Sequence, residues 1–150
     1  MRGEVLSMND ETGSLLLREA KCDGRRMSAL RLLATSGVTP EQLATWCEHG
    51  RLYALCDSAA DPDESPLAAA MTRPCQDQAA TAEICALAVR PERKGHGLGR
   101  RLLAEVADVL LRGGIRRVVA PGVEVTDDQA AALENAGFCR CADGSYAREL

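Results

Sequence analysis

The most apolar segment of this chain is the run Ala82–Val89 (AEICALAV), which predicts a central strand buried on both faces. After it, apolar residues recur at helical spacing from Leu98 to Leu110, and the pair Gly113 and Gly114 ends the pattern. A helix that follows a buried strand so closely is expected to cross over to another strand of the same sheet. The pattern therefore predicts a mixed α/β fold.

Shorter patterns predict the other elements. Thr39-Pro40-Glu41-Gln42 marks a helix start, with a threonine cap, proline at the first position and glutamine three residues after the cap. The remaining predictions are helices over Arg25–Thr35 and from Thr126 to Gly137, and strands over Leu15–Ala20, Arg51–Asp57, Leu67–Thr72, Arg116–Val123, Phe138–Cys141 and Ser145–Glu149. This order predicts a mixed sheet flanked by helices. With no repeat or linker, residues 1–13 are expected to form a flexible tail and residues 14–150 a single domain.

Composition narrows the classes of function. Aromatic residues make up 3% of the chain and the net charge is −4, which argues against a base-stacking nucleic-acid surface. No apolar run approaches the length of a membrane span, and the start of the chain has no apolar signal-peptide core. The seven cysteines form no Cys-x-x-Cys pair, and the two histidines lie far apart, so no metal-ligand spacing is present. These features predict a reduced, cytoplasmic protein without a metal.

Three alternating glycines precede the predicted crossover helix, and they are Gly95, Gly97 and Gly99. No Ser, Thr or Asp that could cap the helix lies between Lys94 and Leu103, and Lys94, Arg100 and Arg101 add positive charge. A helix N-terminus without a side-chain cap exposes backbone N–H groups that bind phosphate well. The spacing fits neither the P-loop nor the dinucleotide fingerprint. We expect a phosphate cradle; the alternative is a tight turn between strand and helix.

This segment resembles the acetyl-CoA signature of the GCN5-related N-acetyltransferases, V-x-P-x-x-R/K-G-x-G-x-G-x-x-L-L. The matching residues are Val89, Pro91, Lys94, Gly95, Gly97, Gly99, Leu102 and Leu103. A weaker second element is Ala136-Gly137-Phe138 after the last predicted helix. The resemblance covers about residues 14–150 and is strongest over 82–138.

The resemblance implies a mostly antiparallel twisted sheet in which two central strands splay apart. It implies that coenzyme A binds to the strand residues Leu87, Ala88 and Val89 and to the loop residues Lys94, Gly95, His96, Gly97, Leu98, Gly99 and Arg100. Pro121-Gly122 would help to keep the strands apart, because proline withdraws a ladder donor. Lys94 stands where the family usually has Arg or Gln. His96 either contacts a phosphate of the coenzyme or is a surface histidine without a role.

Glu83 is the candidate general base, because Glu83-Ile84 matches the position of the base in the histone-modifying branch of the family. The alternative is a strand-start glutamate with no role. Many members carry a tyrosine that protonates the departing thiolate, and Leu133 stands at that position here, while Thr126 replaces the usual asparagine at the start of the helix. Tyr146 or water is left as the proton donor.

The resemblance implies an acetyl-CoA-dependent N-acetyltransferase that acts by direct attack of an amine, in a small molecule or protein of unknown identity. Homodimers are frequent in the family. The alternatives are a non-catalytic coenzyme A-binding module or partner subunit, which the missing tyrosine favours, and a nucleotide-binding domain. The acidic loop Asp57–Glu64 either attracts the amine or is simply solvated, and we expect the cysteines to fill space rather than act as nucleophiles.

Overall fold

A computed structural model describes residues 4–8, 15–21, 24–57, 65–93, 95, 97–120 and 127–150. The strands are β1 Glu4–Met8, β2 Leu15–Glu19, β3 Arg51–Asp57, β4 Ala68–Pro74, β5 Thr81–Val89, β6 Arg117–Ala120, β7 Cys139–Arg140 and β8 Tyr146–Glu149. The helices are α1 Gly24–Ala34, α2 Pro40–His49, α3 Leu98–Arg112 and α4 Asp127–Asn135, and a 3₁₀ turn, Pro91–Arg93, precedes α3. None of the helices in these ranges is long and apolar enough to cross a bilayer.

The strands form one sheet in the order β1-β2-β3-β4-β5-β6-β8-β7. Strands β1 to β5 are antiparallel neighbours, whereas β5 and β6 are parallel and are joined by α3. Strand β8 then lies antiparallel between β6 and β7. The predicted mixed, mostly antiparallel sheet and its helical crossover are confirmed. The capping box is present too, because Gln42 N donates to Thr39 Oγ1 at 3.1 Å and Thr39 N donates to Gln42 Oε1 at 2.9 Å.

The first strand was not expected, because β1 lies inside the segment predicted to be a flexible tail. Its residues pair antiparallel with β2, from Glu4 opposite Glu19 to Met8 opposite Leu16. The pairing uses main-chain groups along the edge of the sheet, so it needs no strong alternation of side chains. Strand β6 accounts for Arg117–Ala120 of the predicted strand Arg116–Val123, and the part of that prediction from Pro121 onward lies outside the described residues.

Helices cover both faces of the sheet. Helix α3 buries Leu102, Leu103 and Val106 against one face, where they meet side chains of β3, β4 and β5. Helices α1 and α2 cover the other face, whose core includes Leu33 and Met71. Successive residues of a strand point to opposite faces, so Leu87 of β5 joins the first core and Ala88 joins the second. The sheet is therefore buried on both sides at the point where β5 approaches α3.

The central pair β5 and β6 separates after three register pairs. These pairs are Thr81 with Arg117, Ala82 with Val118 and Glu83 with Val119. Strand β5 continues to Val89 along β4, and its register shifts so that Cys85 is the extra residue of a β-bulge. Within the described part of the chain, β6 does not pair with β5 beyond Glu83, so the edge of β5 that faces away from β4 has no strand partner there. This confirms the predicted splay.

Candidate functional site

The glycine loop gives α3 an N-terminus without a side-chain cap. Gly97 is the N-cap residue, and its φ of 73° lies in the left-handed region. No side chain forms a capping hydrogen bond at this position. Gly95 has φ 85°, and a Cβ at either glycine would meet open space. Gly99 differs, because a Cβ there would lie 3.1 Å from Ala132 Cβ. Two of the glycines therefore serve the backbone conformation, and the third permits close approach of α3 to α4.

This N-terminus opens into a cavity of about 490 Å³. Eight of the predicted coenzyme-binding residues lie on its wall: Leu87, Ala88, Val89, Gly95, Gly97, Leu98, Gly99 and Arg100. The other two, Lys94 and His96, lie outside the described residues. Helix α4 forms the opposite wall, with Gln129 and Ala132 among its contributions. The cavity connects the positive end of a helix with the open edge of β5.

The main-chain groups of Leu87 and Val89 point into the gap between β5 and β6. Arg90 N donates to Leu67 O at 2.8 Å, so the main chain of Arg90 faces the β4 side. Main-chain polar groups alternate along a strand, so those of Val89 and Leu87 face the other way. Gln129 Nε2 on α4 donates to Leu87 O at 2.7 Å across this gap. The strand edge is thus available for hydrogen bonds, and a side chain from α4 already uses one of its acceptors.

Gln129 is a site residue that the sequence reasoning missed. It lines the cavity described above and also a second one, and it lies one helical turn before Leu133. The sequence offered one signal for such a role: Gln129 lies one turn before the family's tyrosine position, on the same face of α4. Spacing alone could not predict that the Gln129 side chain donates a hydrogen bond to the main chain of β5.

Replacing Gln129 by leucine is expected to destabilise the ligand-free protein by about 1 kcal/mol, because the Leu87 carbonyl loses its donor. For a domain of this size, the unfolding midpoint should fall by about 2–4 °C in a thermal melt. Glu134→Leu, at an exposed position of the same helix that lines neither cavity, serves as the control and should melt close to the wild type. Equal midpoints for Gln129→Leu and the wild type would contradict a stabilising role for this bond.

The second cavity, of about 230 Å³, lies beside the first and shares Ser36, Leu87 and Gln129 with it. Glu83 and Arg73 line it. They face each other in the register of β4 and β5, and Arg73 Nε donates to Glu83 Oε1 at 2.9 Å. The Glu83 side chain is 19% exposed, and Arg73 holds it in a defined orientation. The candidate base is therefore placed on a cavity wall next to the open strand edge.

The two candidates for proton donation lie in different places. Leu133, at the family's tyrosine position, is buried and lines the second cavity, so that position shares a cavity with Glu83 but carries no donor. Tyr146 is 5% exposed within the core on the α3 side of the sheet, and it is absent from the described walls of both cavities. The structure thus does not bring Tyr146 together with Glu83 on one cavity, and its catalytic role stays a prediction.

Cys85, the bulge residue, also lines the second cavity. Burial, with the nearby Glu83 carboxylate as the second cause, raises the pKa of the Cys85 thiol to about 12. The thiol is therefore protonated near neutral pH, and it is the thiolate that acts as a nucleophile. This argues against a cysteine-bound intermediate. In the described ranges, no group of three or more His, Cys, Asp or Glu side chains is arranged to hold a metal ion.

Comparisons with known proteins agree with this geometry. The model of the acetyltransferase (GNAT) family matches residues 18–138. An IAA acetyltransferase from Bacillus cereus shares the fold with a TM-score of 0.74 at 18% identity, covering 91% of this chain and 100% of that one. No curated protein sequence matches significantly.

Two similar structures contain the coenzyme. A Bacillus subtilis acetyltransferase in complex with CoA has a TM-score of 0.70 at 16% identity, covering 85% of this chain and 78% of that one. A GNAT family acetyltransferase from Elizabethkingia anophelis with acetyl-CoA bound has a TM-score of 0.70 at 15% identity, covering 91% of this chain and 99% of that one.

Proposed function

This chain belongs to the GNAT family of acetyltransferases, and on that premise we propose that it moves an acetyl group from acetyl-CoA to the nitrogen of an amine by direct attack. One observation carries the proposal. Eight residues that the family resemblance assigns to coenzyme binding line a single cavity, which runs from the N-terminus of α3 to the edge of β5. The coenzyme-bound state of the B. subtilis and E. anophelis structures supports the same ligand here.

In this proposal the pyrophosphate of acetyl-CoA binds the unpaired N–H groups at the start of α3. Gly97 leaves this end of the helix open, because no side chain occupies the cap position. The pantetheine arm runs along β5, where the outward main-chain groups of Leu87 and Val89 provide donors and acceptors. The Gln129 amide has to share or leave the Leu87 carbonyl as the arm binds. The thioester then lies next to the second cavity.

Glu83 acts as the general base in the second cavity. At about 3.3 Å per residue, the stretch from Glu83 to Leu87 is about 13 Å long, so we expect a water molecule to carry the proton between amine and carboxylate. The acceptor enters as an ammonium and loses a proton by this route. Its nitrogen lone pair then forms a bond to the thioester carbon, and the C–S bond breaks with its electron pair going to sulfur. The nitrogen releases its second proton to water or the thiolate.

The leaving thiolate does not depend on a strong acid in the protein. A thiol has an ordinary pKa near 8.5, so a thiolate departs far more readily than an alkoxide or an amide ion. Leu133 offers no proton and Tyr146 is absent from the described walls of both cavities, so we assign this proton to water. The protonated Cys85 supports direct attack over a route through an acetylated cysteine.

The test is isothermal titration of the reduced protein with acetyl-CoA and, separately, with ATP, followed by mass spectrometry of acetylated amines. A thiol-release assay is unsuitable, because seven cysteines would add to its signal. We expect micromolar binding of acetyl-CoA, no comparable binding of ATP, and an acetylated product. Binding of ATP in competition with acetyl-CoA would favour a nucleotide-binding domain. Acetyl-CoA binding without any acetylated amine would favour the non-catalytic module. The homodimer and the cytoplasmic location stay predictions.

A further inference from the structure

We propose that the acceptor is a small zwitterionic monoamine, such as an amino acid with an apolar side chain, whose carboxylate binds Arg73 in the second cavity. The inference rests on the proposed function and adds the class of acceptor. It is carried by three properties of this cavity: its size, its charge and its partly apolar walls.

The size of the cavity favours a small acceptor. A water molecule takes about 30 Å³ of liquid, so about 230 Å³ corresponds to about eight waters. Sites for drug-sized ligands usually begin at about 300 Å³. A single amino acid is enclosed by such a space, whereas most of an aminoglycoside or a folded protein acceptor would stay outside it.

The charge of the cavity favours a ligand without net charge. Among the described lining residues, Glu83 and Arg73 are the charged ones, and they form a pair of opposite sign. A polyamine would bring several positive charges to a cavity with one carboxylate, Glu83, which already pairs with Arg73. Once Glu83 accepts a proton from the ammonium through the water molecule proposed above, Arg73 is left with excess positive charge, and a carboxylate on the same ligand restores the balance. A zwitterion therefore satisfies both side chains.

Arg73 has the chemistry to recognise that carboxylate. Its Nε contacts Glu83, and the two terminal nitrogens of the planar guanidinium add further N–H donors in a fixed geometry. The side chain is 38% exposed and lines the cavity. Charge-assisted, bidentate hydrogen bonds of this kind give both affinity and orientation.

Among the remaining lining residues, polar side chains come from Ser36, Gln42 and Gln129. The other walls are suited to an apolar body. Val38 and Trp46 come from the segment that follows α1 and from α2, and both pack partly into the core on that side. Ala120 and Leu133 come from β6 and α4. An apolar substituent between these walls is removed from water, which is favourable by about 25 cal/mol per Å² buried. The ligand class is thus an amine with one carboxylate and an apolar side chain.

The experiment compares acceptors that differ in one feature. Phenylalanine is measured beside phenethylamine, which lacks the carboxylate, and beside spermidine and a lysine-containing peptide, with mass spectrometric detection of the acetylated product. We expect kcat/KM for phenylalanine to exceed that for phenethylamine by about 10–100-fold, the range of a charge-assisted bond. Spermidine and the peptide should be poorer than phenylalanine.

Arg73→Leu tests the contact itself, with Arg117→Leu as the matched control. Arg117 is as exposed as Arg73, at 39% against 38%, and it also pairs with a glutamate, Glu149, away from both cavities. We expect Arg73→Leu to lower kcat/KM for both acceptors, because both lose the contact that orients Glu83. The loss should be about 10–100-fold larger for phenylalanine, chiefly through KM, because only phenylalanine also loses the contact to its carboxylate. Arg117→Leu should change neither.

The outcomes separate this inference from the function on which it rests. Efficient acetylation of spermidine or the peptide, but not of zwitterions, would overturn the acceptor class and leave the acetyltransferase standing. An equal loss for phenylalanine and phenethylamine in Arg73→Leu would mean that Arg73 only holds Glu83, which also overturns it. Absence of acetyl-CoA binding in the wild type would overturn both. Thermal melts and acetyl-CoA titrations of each variant establish that folding and coenzyme binding are intact.

Discussion

Replacing Glu83 by glutamine is expected to lower kcat by about 10²–10⁴-fold, the contribution of a general base. Glutamine keeps the size of the side chain and an oxygen for Arg73, but its amide accepts no proton at neutral pH. The first cavity does not include Glu83, so acetyl-CoA affinity in a calorimetric titration should stay close to the wild-type value. The readouts are the rate of product formation by mass spectrometry and the dissociation constant of acetyl-CoA.

Glu19→Gln is the control for this experiment. Glu19 is also a half-buried strand glutamate paired with an arginine, Arg51 at 3.7 Å, and its side chain is 16% exposed against 19% for Glu83. It lines neither cavity, so its replacement should leave kcat unchanged. If Glu83→Gln retained full activity with coenzyme binding intact, Glu83 would be a strand-start glutamate without a catalytic role.

Replacing Gly97 by alanine is expected to weaken acetyl-CoA binding by about 10–100-fold, the effect of losing one or two hydrogen bonds to a charged group. The left-handed backbone of Gly97 is strained for any residue with a Cβ, by about 1–2 kcal/mol. The added methyl group would also project into open space at the uncapped end of α3, where we place the pyrophosphate. Isothermal titration measures the affinity, and a thermal melt measures the stability.

Gly114→Ala separates strain from binding. Gly114 follows the other end of the same helix, has φ 96°, and likewise has open space at the position of a Cβ. Both variants should lose similar stability, and only Gly97→Ala should lose affinity. A similar loss of affinity in both variants would attribute the effect to the stability of α3. Unchanged affinity in both would mean that the glycines only form a tight turn between strand and helix.

The sequence predicted best those parts of the molecule in which local pattern and tertiary environment agree. Strand β5 is apolar along nearly its whole length because it is buried on both faces, and the glycines follow it directly. The capping box at Thr39 is a local contact between neighbours in sequence, so spacing was enough to place it. The residues that the resemblance assigned to the coenzyme lie close together in the sequence, and eight of them line one cavity.

The parts that were missed depend on which strands and helices meet. Strand β1 is held by main-chain pairing with β2, which leaves little trace in side-chain pattern. The contact between Arg73 and Glu83 follows from the register of β4 against β5, and the bond from Gln129 to Leu87 follows from the position of α4 over the splay. Residues 42 positions apart, as in the second contact, are joined only by the complete fold.

The short pairing between β5 and β6 has a consequence for local opening of the sheet. Three register pairs hold the two strands together, whereas β5 and β4 are paired along almost their full length. The seam is the line along which β5 and β6 pair. Amide hydrogens of β6 at this seam should therefore exchange with solvent through smaller fluctuations than those between β4 and β5. A ligand that spans from Leu87 to α4 bridges the two sides of the seam. Its binding would appear as slower deuterium uptake over Arg117–Ala120, at a distance from the glycine loop itself.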